Sequence, residues 1–169
     1  MEKIIYIIGQ GLGVVAIILG FLSYQVRSQK KLLLLQTATG VVFCLHFLMI
    51  GATSGMALNV ISVIRNTVYY FRNKKGSNSP AAPVLFAALM AVVGIFTWEA
   101  WYTVFTFAGM IISTLAMALP DSQKVRKSIL ITSPLVLLYD LFAHSYGGMV
   151  YETVAIISSA VGIRRHRKS

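Results

Sequence analysis

Charge is what this sequence has least of. Charged residues make up 12% of its 169 positions, about half the share of roughly 25% typical of a soluble domain. Too few charges remain to coat a surface that meets water, so the apolar surface must meet lipid. Acidic residues are scarcest, five against fifteen Lys and Arg. Cysteine occurs once, as Cys44 inside an apolar run. That excludes an internal disulfide and leaves a small packing residue. The three histidines, His46, His144 and His166, stand far apart, so no metal-ligand spacing exists and no metal or cofactor is expected. No nucleophile with a base stands out at a converging depth. No catalytic residue is therefore assigned, and an enzyme is not expected.

What is present is apolar. Hydrophobic residues reach 57% and the mean hydropathy is +0.75. The apolar runs are 4–24, 32–50, 56–71, 83–98, 101–118, 128–143 and 149–163. A spanning helix needs about 20 apolar residues, with a lower bound near 17, so the shorter runs are expected to extend into their loops. Each must be helical, because an isolated strand in lipid leaves its backbone groups unpaired. The first run follows Glu2 and a single Lys3 and lacks a small-x-small site before Gln25-Val26-Arg27; it reads as a retained helix, not a signal peptide. The longest linker, 72–82, reads RNKKGSNSPAA.

The net charge of +10 is distributed in short clusters between the runs. In that position it faces lipid head groups, and nucleic acid is not an expected partner. Arg27, Lys30 and Lys31 follow the first run. Arg72, Lys74 and Lys75 follow the third. Lys124, Arg126 and Lys127 follow the fifth, and Arg164, Arg165, Arg167 and Lys168 the seventh. Seven passes put all four clusters on one side, and losing one pass would scatter them. Basic loops stay in the cytoplasm. The expectation is a multi-pass membrane protein, N-terminus outside and C-terminus cytoplasmic. Trp98, Trp101, Tyr102 and Tyr146 would mark the outer interface.

Sliding the chain against itself by roughly 93 residues exposes a repeat of the kind such searches seek. Lys31 meets Lys124, Leu45 meets Leu138, Leu48 meets Leu141, Gly55-Met56 meets Gly148-Met149, Arg72 meets Arg165 and Lys74 meets Arg167. The basic loops coincide, and so do the small outer turns 51–55 and 145–148. Runs one to three match runs five to seven, and the fourth is left over. The expected fold is all-α: two parallel three-helix bundles, residues 1–75 and 100–169, joined by a linker with one helix over 76–99. Parallel repeats of this kind place a substrate site at their interface.

Ionisable groups inside spans are costly and mark pairings or pathways. They are Arg65 in the third run, Asp140 in the sixth and Glu152 in the seventh, with His46 in the second. Asn59, Ser62 and Asn66 form one polar stripe on the third helix; Glu152, Ala155 and Ser159 hold the same offsets on the seventh. Gln36, Thr39 and His46 share a face of the second. Two facing stripes suit a solute cavity, or else interhelical packing. Arg65 is expected to pair with Glu152, Asp140 or an anionic group of the solute, or to snorkel to the head groups. Asp140 and Glu152 can instead reach outer water, and His46 is either a hydrogen-bonded interior residue or a proton relay. Gly9-x-x-x-Gly13 fits close helix packing.

The stretches Gly20–Gln25 (GFLSYQ), Lys30–Gln36 (KKLLLLQ), His46–Ala52 (HFLMIGA) and Asn59 through Arg65-Asn66 resemble the YgjV-type family of bacterial inner-membrane proteins. That family is similar in turn to the SWEET/PQ-loop superfamily. The resemblance implies a three-one-three layout with a small-solute cavity between the bundles. It implies a substrate-binding role for Asn66, with Ser159 at the matching position. It puts the superfamily's Pro-Gln signature at Tyr24-Gln25 and Pro120-Asp121, half a match each. Hinge prolines fall at Pro120 and Pro134, and Gly40 stands near the first-bundle position of Pro134. The expected function is transport of a small polar solute by alternating access. The alternative is a non-transporting binding or regulatory membrane protein, or a partner subunit, of the same shape. The lipid bilayer and the solute are the expected partners, and a homo-oligomer stays open.

Overall fold

A computed structural model describes residues 2–76 and 79–165, with side chains from Ile4 onward. His166, Arg167 and Lys168, the match of Lys74 with Arg167, and the side chains of Glu2 and Lys3 lie outside the described residues. Seven helices follow one another: α1 (Glu2–Gln25), α2 (Gln29–Ile50), α3 (Thr53–Lys74), α4 (Ala81–Phe96), α5 (Thr103–Met117), α6 (Ser122–Phe142) and α7 (Tyr146–Arg165). No strand occurs among the described residues. The molecule is an all-helical membrane protein.

The helices are apolar outside and polar inside. Ile7, Phe96, Leu85 and Ile131 are each more than 60% exposed, whereas His46, Arg126, Thr114 and Ser158 are fully buried. Water would reverse this order; lipid demands it, since an unpaired polar group facing hydrocarbon costs several kcal/mol, of order 4–8 on an alkane scale. Three helices, α1, α2 and α7, are long and apolar enough to cross a membrane by length and composition. α4 and α5 are apolar but have 16 and 15 residues. α3 and α6 are long, and their lower hydropathy comes from the polar residues they bury: Asn59, Ser62, Arg65 and Asn66 on one, Arg126, Thr132, Ser133 and Asp140 on the other.

Neighbour packs on neighbour to close a ring. α1 lies on α2, α2 on α3, α5 on α6, α6 on α7, and α7 on α1. α3 touches α5 lightly, and α4 packs outside against both. At one end the tail of α1 meets the start of α6, where Ser122 Oγ donates to Arg27 O (3.0 Å), and Gln29 Nε2 donates to Met117 O (3.2 Å). Arg27 and Arg126 lie at this end. At the other end Tyr6 OH and Gln10 Nε2 both donate to His144 O (3.1 Å each).

Two turns are shorter than the sequence suggests. Gly51 takes the left-handed conformation (φ 79°), its N–H and that of Ala52 close onto Leu48 O and Phe47 O, and α3 begins at Thr53. α7 likewise begins at Tyr146. Gly55 and Gly148, read from the sequence as turn residues, are helical. They are small because a neighbour presses on them: a Cβ on Gly55 would meet the Phe47 ring at 2.9 Å, and one on Gly148 would meet Ser145 and Asp140 at 2.4–2.6 Å. The Gly9/Gly13 pair does pack closely, Gly9 against Met49 and Gly13 backbone to backbone with Gly147. Asp121 caps α6, its Oδ1 accepting from Gln123 N–H (2.8 Å), while Pro134 sits inside that helix.

Candidate functional site

All six ring helices, and not α4, line one central cavity. It holds about 730 Å³ unfilled by protein atoms, counting the part open to the outside. α3 contributes Asn59, Ser62, Arg65 and Asn66, so its polar stripe faces inward along its whole length. α2 brings Gln36, Thr39, Gly40, Phe43 and Phe47. Opposite α3 in the ring stand Tyr151 and Glu152 of α7, with Thr132, Ser133 and Asp140 of α6 beside them; Tyr24 enters from α1. α5 supplies a wall of Thr106, Gly109, Met110, Ser113 and Met117 that the sequence gave no reason to single out. Small and apolar residues look alike whether they face lipid or a cavity.

The two walls differ in charge. Arg65 is 3% exposed. Its Nε and Nη2 donate to Asn66 Oδ1 (3.1 and 2.9 Å), and its Nη1 donates to Thr114 Oγ1 (2.6 Å). Thr114 Oγ1 in turn donates to Met110 O (2.6 Å). Three of the five guanidinium donors are thus used, on neutral oxygens, and neither Glu152 nor Asp140 is a partner. The expected pairing is not formed. Nor does Arg65 snorkel to the head groups, because Asn66 and Thr114 hold it inside. Across the cavity, partly buried Glu152 faces Ser133 and lies within electrostatic reach of Tyr24, Tyr151 and Asp140. Gln36 Nε2 donates to Ser23 Oγ (2.7 Å) and reaches Tyr151 OH (3.4 Å), tying α2 to α1 and α7 at this level.

Asp140 is 1% exposed, and its buried Oδ1 has no hydrogen-bond partner. The carboxyl abuts Ser145, which is fully buried. Ser145 Oγ stands 2.7 Å from His46 Nε2 and accepts from Gly148 N–H (3.2 Å). His46 Nδ1 is 2.8 Å from Gly9 O. His46 does not line the cavity; it turns from the Gln36/Thr39 face towards α1. Ser145 was not visible as a site residue, because it lies 99 positions from His46 and its surroundings read as an ordinary turn.

The remaining expected residues are spread around the cavity. Ser159 is buried with an unpartnered Oγ but does not line it; Ala155, the other member of that stripe, is buried off the cavity as well. Gln25 Nε2 donates to Ser158 Oγ (2.8 Å), joining α1 to α7. Gly40 lines the cavity, with Val63 2.9 Å from where its Cβ would be. Pro120, Asp121 and Pro134 do not line it. Arg126, read as one more loop cation, is fully buried: its Nε and Nη2 donate to Tyr24 O (2.9 Å) and Val26 O (2.6 Å), capping the carbonyl end of α1.

Among the described residues no group of three or more His, Cys, Asp or Glu could hold a metal ion. The family model for Imp-YgjV, described as bacterial inner membrane protein, matches residues 7–169. No curated protein and no solved structure matches the chain.

Proposed function

From the premise that the chain belongs to the YgjV family of bacterial inner membrane proteins, we propose that it carries a small polar solute across that membrane by alternating access. The observation that carries this reading is a cavity walled by all six ring helices, with polar and charged residues on opposite faces and an apolar exterior. The moving parts are two parallel bundles, α1–α3 and α5–α7, with α4 returning the chain to the starting side. All seven helices cross the bilayer, the basic end faces the cytoplasm and the N-terminus faces the periplasm. This is the three-one-three plan of the SWEET/PQ-loop superfamily.

Helix ends and buried faces support the repeat. A shift of roughly 93 residues carries α2 onto 122–143 and α3 onto 146–167, against α6 (Ser122–Phe142) and α7 (Tyr146–Arg165). Each buried residue of α7 falls on a buried residue of α3: Gly147 on Ser54, Gly148 on Gly55, Tyr151 on Leu58, Ala155 on Ser62, Ser158 on Arg65, Ser159 on Asn66 and Gly162 on Tyr69. A rotation that swaps the bundles also exchanges the α1–α7 junction with the α5–α3 junction, as parallel repeats about a membrane-normal axis require. The buried His46, Ser145 and Asp140 favour a non-enzymatic role. A hydrolytic set needs the imidazole between hydroxyl and carboxylate; here the hydroxyl is in the middle.

A thermal-stability screen of the purified protein against metabolite pools tests the reading. A true solute at about one hundred times its Kd should add about 2.7 kcal/mol, and Asn66→Ala should lose that shift while staying folded. If no pool stabilises the wild type, the solute reading fails.

A further inference from the structure

Ser145 has one hydroxyl proton and two neighbours that want it. A carbonyl oxygen can only accept, so His46 Nδ1 carries a hydrogen and donates it to Gly9 O. In neutral His46, Nε2 is then a bare acceptor, 2.7 Å from Ser145 Oγ. Beside Ser145 lies the Asp140 carboxyl, whose Oδ1 has no hydrogen-bond partner. Ser145 Oγ and Asp140 Oδ1 stand 2.4 and 2.5 Å from the point that a Cβ on Gly148 would occupy, so glycine is what lets them converge. One added proton satisfies every atom, in either of two arrangements. In the first, Asp140 is the acid and donates to Ser145, which donates to neutral His46. In the second, imidazolium Nε2–H donates to Ser145, which donates to the Asp140 carboxylate. The two differ only by the shift of two protons along Oδ1···Oγ···Nε2, and both are neutral overall. Without the added proton the set has one negative charge, and one buried acceptor goes unserved, a costly state.

We infer that Asp140, Ser145 and His46 form a single proton-binding site, loaded from the cavity through Asp140 and shared with His46 through Ser145. Its place gives it leverage. Gly9 and His46 belong to α1 and α2, and Asp140 and Ser145 to α6 and the turn before α7, so the proton sits in the outer junction between the proposed bundles. Loading it joins them by a continuous chain of hydrogen bonds; removing it leaves a bare carboxylate there. This makes the proton a coupling ion for the solute, a consequence that rests on the transport reading. The groups facing the site are few. Glu152 acts on Asp140 from α7; Tyr139, beside Asp140 on α6, is itself acted on by Glu99 and by Tyr102, just before α5. α1 presents the Gly9 carbonyl and α2 the rings of Phe43 and Phe47.

The test needs no solute. The full chain in lipid nanodiscs is titrated with pH while infrared difference spectra follow carboxylic acid bands and ¹⁵N spectra follow histidine. Asp140→Asn and Glu152→Gln assign the carboxyl bands, and His46→Gln assigns the imidazole. The expected result is a common midpoint for the Asp140 band and His46, with His46 in the Nδ1–H form whenever neutral. Asp140→Asn should move the His46 midpoint by about one pH unit or more, as for strongly interacting sites. Ser145→Ala should separate the two midpoints. Independent titration of Asp140 and His46 in the wild type overturns the inference, and that comparison stands even if a variant does not fold. The metabolite screen is read separately. A shared midpoint without any solute retains the proton site and rejects transport. A solute bound beside independent titrations does the reverse.

Discussion

Two junctions close the helix ring, and they are built from different chemistry. Where α1 meets α6 and α7, the contacts are charged or titratable and the backbones touch. Gly13 lies against Gly147, Arg126 clasps the carbonyls of Tyr24 and Val26, and His46 stands 2.7 Å from Ser145, beside Asp140. Where α5 meets α2 and α3, the places matching the arginine clasp and the His46 contact are neutral, although Arg65 of α3 also holds Thr114 of α5 there. Gln29 donates to Met117 O in place of the arginine clasp, and Tyr139 OH, packed against the Tyr102 and Phe47 rings, accepts from Gly55 N–H (3.0 Å). Under the proposed repeat, Tyr139 stands for His46, Phe47 for Asp140 and Ala52 for Ser145. Under the proposed proton site, the first junction responds to protons at a place where the second carries only neutral groups. A symmetric frame with asymmetric chemistry lets one side be released while the other holds.

The largest difference should appear at the Arg126 and Gln29 clasps. Arg126→Leu leaves two α1 carbonyls without donors and should cost about 3 kcal/mol, whereas Gln29→Leu, losing one neutral bond, should cost about 1. Denaturant unfolding of the purified variants compares them; equal losses would erase the contrast. Next come the opposite ends of the junctions. Ser145→Ala strips the partners of His46 Nε2 and Gly148 N–H and should cost about 2 kcal/mol in a pH-dependent way. Tyr139→Phe should cost about 1 kcal/mol at every pH.

The glycines give a smaller contrast. Alanine at Gly148 must displace the Asp140 carboxyl and the Ser145 hydroxyl together, while alanine at Gly55 has only to push aside the Phe47 ring. Both overpack, at roughly 1–3 kcal/mol, and Gly148→Ala should cost more and disturb the histidine spectrum. Smallest are the turns. His144 and Gly51 both adopt left-handed backbone, at φ 53° and 79°. His144→Gly should gain, and Gly51→Ala should lose, about 1 kcal/mol; thermal unfolding reads both.

Much of this layout was legible in the residues. Apolar runs broken by basic clusters located seven helices, and the spacing of Asn59, Ser62 and Asn66 showed a face that turned out to line the cavity. Asp140, Glu152 and Arg65 stood out because charge in such runs is costly. What stayed hidden depends on partners distant in sequence. No local pattern tells that Arg65 is held by Thr114 on α5, that Arg126 turns inward to α1 instead of outward to water, or that Ser145 stands beside both His46 and Asp140. The α5 wall is silent for another reason: threonine, serine, glycine and methionine serve lipid-facing and cavity-facing positions equally well.

The most direct test of the two-bundle carrier is uptake of a radiolabelled solute pool into vesicles reconstituted with the full chain. The account predicts entry above that of protein-free vesicles, abolished by Arg65→Gln in protein that remains folded. Solute binding with no entry, or entry undiminished by Arg65→Gln, would contradict it.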